Sequence, residues 1–548
     1  MSTLTRRGAV RAALASVAGA GLAASAPAAT GSAPATAAAG ASSRPPSFGV
    51  GREGQRKADL GNGTYRNPIV PGDRPDPTLL KDGSDYYLTF SSFTSYPGVV
   101  IWHSTDLVNW TPITAALKQP IGAVWAMDLV KHDGRYFIYI PAMQENGSKI
   151  YVIHADNIRG PWSDPVDLHL GDCIDPGHAV GEDGKRYLFV NGVRRIRLSD
   201  DGLSTIGQLE PAYTPWQYPK DWVVEMFAPE GPKIFRRGEW FYLIAAVGGT
   251  SGPPTSHMVT LARSRSIHGP WEDSPHNPIV RTQSADEPWW SRGHASVVEG
   301  PAGDWWMVYH GYENGMRTLG RQTLLEPVEW TKDGWLKARG GTLARPLPKP
   351  RGGRPSPAGF DLSDDFSTDR MGVQWTLFAP DAKDGERVSR RDRSLVLKAK
   401  GTSLADCSPL TCLVGDRSYE ASVEMEIPGD AHGGLALFYD GRGFAGIGAN
   451  AQEMLTYNYS QEIGWMRHKL PATTGPRVLH LRLTNRENVV TFHTSPDGKD
   501  WTQHPWQMEV SGFHHNVFGG FLSLKLALFS AGQGEVRFRR FRYRGLPA

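Results

Sequence analysis

The stretch "EMFAPEGPKIFRRGEWFYLIAA", residues 225–246, reads as two apolar runs joined at Gly238. A glycine-containing pair between two such runs is a strong short-range signal for a β-hairpin. The pattern recurs at "KDGSDYYLTF" around Gly83, "HDGRYFIYI" around Gly134, "EDGKRYLFV" around Gly184 and "PAGDWWMVY" around Gly303. Successive glycines lie 51, 50, 54 and 65 residues apart. A strand-like segment ending in Trp follows most units: "HSTDLVNW" (103–110), "HADNIRGPW" (154–162) and "SRSIHGPW" (264–271). Five units of about 50 residues, each with roughly four short strands, predict a five-bladed β-propeller.

Glu230 is the odd residue of that opening stretch. It stands at the mouth of the first strand, between Pro229 and Gly231, where an unpaired buried charge is costly. The other units carry a polar residue at the same place. Asp76 lies seven residues ahead of Gly83, Asp128 six ahead of Gly134, Asp175 nine ahead of Gly184, Glu230 eight ahead of Gly238 and His294 nine ahead of Gly303. The first strand of a propeller blade lines the central axis, so these five are expected to meet at one end of one tunnel. Several acids in one pore cannot all ionise cheaply, and their pKa values should split. A proton acceptor paired with a proton donor is what glycoside hydrolysis needs. Asp76, in the polar "GDRPDP", suits the ionised base, and Glu230, beside proline, glycine and aromatics, suits the protonated acid.

Residues 65–345 resemble glycoside hydrolase family 43. "NPIVPGDRPDPTLLKDGSDYYLTFSSF" is similar to that family's opening motif, and the resemblance makes Asp76 the general base. "CIDPGHAV" is similar to the second motif and assigns Asp175 to tuning and orienting the acid; "APEGPKIF" is similar to the third and makes Glu230 the general acid. The β-xylosidase-like branch further implies a sugar pocket lined by Phe93, Trp125, Asp128, Thr250 and Arg321. It also implies an axial histidine, His294, that helps to hold a hydrated structural calcium. No cofactor is needed for the chemistry itself. One departure stands out: the family's Trp-Ala-Pro is Trp-Ala-Met here, with Met127, which is expected to alter the pocket wall and so specificity.

The chain has 548 residues, enough for two or three domains. Residues 1–45 are expected to be an export signal and disordered segment: Arg6 and Arg7 precede an Ala/Gly-rich stretch with small-residue cleavage candidates, a twin-arginine pattern. That implies a secreted protein, and no later stretch is long and apolar enough for a membrane span. The propeller is expected over 60–345, and the Pro/Gly-rich 346–362 reads as a linker. Over 363–548 the pattern changes to period two. In "YEASVEMEI" Tyr419, Ala421, Val423, Met425 and Ile427 share one face, which predicts half-buried antiparallel strands and a jelly-roll-like β-sandwich. "DDFSTDRMGVQW" and "SPDGKDWTQ" resemble the module that follows family 43 xylosidases, in which a loop closes one side of the pocket. In "SGFHHNVFGGF" Phe513 and Phe518 are the candidates for that role, with core packing the first expectation for both, and a free-standing carbohydrate-binding role is the rival reading of the domain. Of three cysteines, Cys407 and Cys412 are close enough in sequence to pair, and no Cys/His cluster has zinc-ligand spacing.

A net charge of +3 gives no reason to expect nucleic acid. The 18 Trp, 18 Tyr and 20 Phe suit stacking on sugar rings, although most belong to the core. The leading expectation is an inverting exo-glycosidase that releases xylose from the non-reducing end of xylo-oligosaccharides or xylan. The alternative keeps the chemistry and changes the sugar to α-L-arabinofuranose on arabinoxylan or arabinan. A non-catalytic carbohydrate-binding propeller is the reading from another class, and the three acids argue against it.

Overall fold

The structure is a computed structural model and describes residues 48–547; the expected export signal lies outside them. Five antiparallel sheets follow one another, each with four strands ordered as the chain runs and two of them with a short fifth strand added. Their innermost strands are Thr78–Asp82, Asp128–His132, Gly177–Val180, Glu230–Arg237 and Trp289–Glu299. The second strands carry the aromatic runs of the repeated hairpins, as in Trp240–Val247, whose Phe241 to Val247 are all buried. Each hairpin turns at its repeated glycine, and all five glycines have positive φ. The ring is closed by the segment before the first blade. Ile69 N–H donates to the Thr323 carbonyl at 3.0 Å and Arg74 N–H to the Arg321 carbonyl at 2.9 Å, along the third strand of the fifth blade.

The second part is a sandwich of two antiparallel sheets. In Ser418–Ile427 the alternate residues from Tyr419 to Ile427 are buried, as the period-two pattern requires. They pack against Leu435, Leu437, Tyr439 and Ile447 of the facing sheet. One edge of that facing sheet is a propeller segment: Ser95–Tyr96 pairs with Trp375–Phe378. The two parts therefore share a sheet, and Lys525 Nζ adds a buried bond of 2.9 Å to Ser95 Oγ. The connecting residues are not a free tether. Phe360 packs on Trp102 with centroids 5.6 Å apart, and Gly359 N–H donates to the Trp110 carbonyl.

The three cysteines are free and buried. Cys412 belongs to the core between the two sheets, while Cys407 packs with Leu404, Phe438 and Phe444 in a separate cluster. Their side chains face different interiors, so nearness in sequence does not make a bridge.

Candidate active site

Two of the three acids start from unusual backbone. Asp76 lies between Pro75 and Pro77 with φ +57°, and Asp175 precedes Pro176 with φ +56°. A residue before proline is kept out of the helical region, and a non-glycine residue with positive φ is strained, a cost of about 1–3 kcal/mol that concentrates at functional sites. His294 shares the feature at φ +61°. Glu230 opens its strand, and Gly231 after it has φ +60°. A Cβ at Gly231 would collide with the His294 ring, so only glycine lets the fourth blade approach the fifth here.

Asp76 is buried and fully engaged. Arg321 Nη1 lies 3.0 Å from its Oδ1, Ser91 Oγ donates to Oδ2 at 2.5 Å, and His310 Nδ1 accepts the Asp76 backbone N–H at 3.1 Å and lies 3.0 Å from Oδ1. Burial alone would raise this carboxyl. The Arg321 guanidinium, helped by the neighbouring histidines, more than offsets it and holds Asp76 well below the usual carboxylate range. Glu230 has the opposite environment. Burial, then the nearby Asp175 and Asp76 carboxylates, push it well above its ordinary value, while 23% of its side chain stays accessible. Asp175 is raised to about 7, by burial first and Asp76 second. Its Oδ2 accepts the Gly231 N–H at 3.1 Å, so it grips the backbone beside Glu230.

Two histidines that sequence reasoning missed complete the site. His257 is fully buried, and its Nδ1 lies 2.6 Å from the Gly248 carbonyl, which can only accept. That bond fixes the tautomer and leaves the Nε2 lone pair 3.9 Å from Glu230 Oε1. Burial depresses His257 to about 3, so it stays neutral and favours a proton on Glu230. His310 links the Asp76 backbone N–H, which its Nδ1 accepts, to Thr250, whose Oγ1 lies 3.0 Å from Nε2. Neither histidine sits in a recognisable motif: His257 is a single residue just ahead of the strand Met258–Ser264, and His310 a single residue within the apolar strand Trp305–Glu313.

The expected pocket residues divide. Arg321 lies between two rings, its guanidinium carbon 5.9 Å from the Phe93 centroid and 5.2 Å from that of Phe521. Trp125 meets Phe521 edge-on at 5.6 Å. The sandwich aromatic at the site is therefore Phe521. Phe513 is buried against Phe518 and Tyr459, the core packing first expected of it, and neither Phe513 nor Phe518 is the aromatic at the site. Phe521 is held by a stacked His515 at 3.9 Å, and Asn516 ties the same loop to the propeller through the Ser251 carbonyl at 2.6 Å. Thr250 is buried with its hydroxyl engaged by His310 rather than turned to a sugar. Asp128 is a clearer correction. Its carboxylate is buried among Thr78, the His178 N–H and Lys233, and is saturated there. Met127 is wholly buried beside Val124 and Leu129, so its side chain packs the core instead of walling the pocket.

The donor set does not fit the expected calcium. Calcium takes about six to eight oxygens. His294 Nδ1 faces only Asp76, at 3.6 Å, and that carboxylate is already matched by Arg321. Among the described residues, the one group of three clustered donors is Glu230, His257 and His294: two nitrogens and a carboxyl that favours its proton.

Comparison with known proteins bears on this geometry. The model of "Glycosyl hydrolases family 43" matches residues 65–336, and that of "Beta xylosidase C-terminal Concanavalin A-like domain" matches 363–544. A "Non-reducing end alpha-L-arabinofuranosidase BoGH43B" of Bacteroides ovatus is 32% identical over 63% of this chain and 66% of that protein. A "Beta-xylosidase" of Bacillus subtilis is 30% identical over 50% of this chain and 57% of that protein. The match thus spans less than two thirds of either relative's length. The solved GH43 BlXynB protein of Bacillus licheniformis superposes with a TM-score of 0.77 at 26% identity, covering 88% of this chain and 100% of that one.

Proposed function

The chain belongs to glycosyl hydrolase family 43, and from that premise we propose an inverting exo-glycosidase that releases xylose from the non-reducing end of xylo-oligosaccharides or xylan. One observation carries the reading: two carboxyl groups in one pocket are pushed to opposite protonation states, Asp76 ionised and Glu230 protonated. Asp76 takes a proton from water as that water attacks the anomeric carbon, and Glu230 gives its proton to the departing oxygen. Asp175 and His257 keep Glu230 placed and protonated. Arg321 fixes the charge of Asp76. No cofactor enters these steps.

The exo character follows from the sandwich loop. Phe521 stands against Trp125 and Arg321, closing one side of the pocket to a continuing chain. Truncation of Phe521 to Ala is expected to raise KM for xylobiose about tenfold, with kcat changed less than threefold, because it removes wall and not chemistry. Steady-state kinetics of the folded variant check this; an unchanged KM would remove Phe521 from the pocket.

The second reading, α-L-arabinofuranosidase, is favoured by the activity that names the Bacteroides ovatus relative. Rates on 4-nitrophenyl β-D-xylopyranoside and 4-nitrophenyl α-L-arabinofuranoside decide between the two. The xylosidase reading expects the higher kcat/KM on the first, and a reversed order establishes the second. The twin-arginine segment supports export, which N-terminal sequencing of protein from the culture medium tests.

A further inference from the structure

Three residues beyond Glu230, Lys233 turns into the propeller instead of toward water, and it is 9% exposed. Its Nζ donates to Asp128 Oδ1 at 2.8 Å, the Met127 carbonyl at 2.8 Å and the Pro176 carbonyl at 3.0 Å. An ammonium has three donors, and all three are satisfied. Asp128 is as fully used: Thr78 Oγ1 reaches Oδ1 at 3.0 Å, and the His178 N–H reaches Oδ2 at 2.7 Å. The knot joins the innermost segments of four blades. The fifth attaches one residue away, where Ser296 Oγ donates to the Pro77 carbonyl at 2.9 Å. Close approach of the third and fourth blades is enforced at Gly177, where a Cβ would overlap the Pro232 carbonyl oxygen.

A carboxylate and two carbonyl oxygens converging from two blades are the kind of donors a hard cation favours. Here the position belongs to a side chain. We propose that the Lys233 ammonium is the built-in axial cation of this propeller, doing the charge-neutralising and blade-joining work of a metal ion, so that the protein needs no calcium. Charge balance in the tunnel agrees. Asp128 is matched by Lys233 and Asp76 by Arg321. The remaining acids, Asp175 and Glu230, are the pair whose proton the proposed chemistry uses, and they offer no surplus charge to a divalent ion. The inference concerns the blade junction and holds whichever sugar the pocket accepts.

The test is thermal melting and activity of the purified full chain. After dialysis against EDTA, the unchanged protein is expected to keep its Tm within 1 °C and its activity within 20%, and added calcium chloride to change neither. Lys233→Met keeps the length and removes the charge, leaving Asp128 buried without its partner. Its Tm is expected to fall by about 5–10 °C. Adding Asp128→Asn to Lys233→Met removes the stranded charge and should recover part of that loss, which a role in packing alone would not do. Lys233→Ala vacates the oxygen cage and should acquire a calcium-dependent rise in Tm that the unchanged protein lacks. Loss of Tm or activity in EDTA with recovery on added calcium would overturn the proposal. So would a Lys233→Met protein that melts with the unchanged one, or a double variant no more stable than Lys233→Met.

Discussion

Substitution of Asp76 by Asn is expected to lower kcat by about 10³–10⁴-fold, the size of a lost general base, in a protein that still folds. The amide occupies the same volume, and its oxygen keeps an acceptor for one of the two donors that reach the carboxylate, Ser91 at Oδ2 (2.5 Å) or Arg321 at Oδ1 (3.0 Å). What it cannot do is take a proton from water. Arg321 loses the charge of its partner, so some loss of Tm accompanies the loss of rate. The two effects are separable: circular dichroism reports the fold, and kinetics at saturating substrate report the chemistry. A folded Asp76→Asn protein within tenfold of normal kcat would remove Asp76 from the role of base.

Glu230→Gln is expected to act by leaving group. In xylobiose the leaving xylose departs as an alkoxide unless protonated, so turnover of this substrate should fall about 10³-fold. An aryl xyloside with an acidic phenol needs little help and should lose less than about tenfold. The pH profile should change with it. Glu230 is raised by burial and then by Asp175 and Asp76, and Asp175 itself lies near 7. A proton donor works below its pKa, so the normal rate falls as pH rises through the macroscopic pKa of this pair. Asp76 is depressed and works above its pKa, so the acid limb lies far down the scale. In Glu230→Gln the alkaline limb should disappear while the acid limb stays. Equal losses on both substrates, or a surviving alkaline limb, would take the proton donor elsewhere.

How much of this was legible in the sequence follows from where each signal resides. The propeller was readable because each blade repeats a local device, a glycine turn before an aromatic strand, and local devices survive in one dimension. Asp76, Asp175 and Glu230 were readable for the same reason: each sits beside a proline or glycine that sets its backbone. Asp128 occupies the same register, but its partner Lys233 lies 105 residues away, and nothing local distinguishes a carboxylate matched by a lysine from one facing a sugar. His257, just ahead of the strand Met258–Ser264, and His310, within Trp305–Glu313, enter from behind the innermost strands, where a single histidine beside or in an apolar run has no pattern to announce it. In "SGFHHNVFGGF" three phenylalanines compete. The positive φ values of Gly519 and Gly520 and the stack on His515 decide that Phe521 meets Trp125, and none of these is a periodicity.

The central claim is that water, activated by Asp76, attacks from the face opposite Glu230. Inverting enzymes leave room for that water between two separated carboxyl groups, whereas retaining enzymes bring them close enough for one to bond the sugar. Here the His294 ring approaches both acids: its Nδ1 is 3.6 Å from Asp76 Oδ1, and one of its nitrogens is within 4.8 Å of a Glu230 carboxylate oxygen. Proton NMR of a fresh digest of a β-xyloside, recorded before mutarotation, reads the outcome directly. The α-anomer of xylose should appear first and the β-anomer only later, as the sugar equilibrates. If β-xylose appears first, the configuration has been retained and the roles given to Asp76 and Glu230 are wrong.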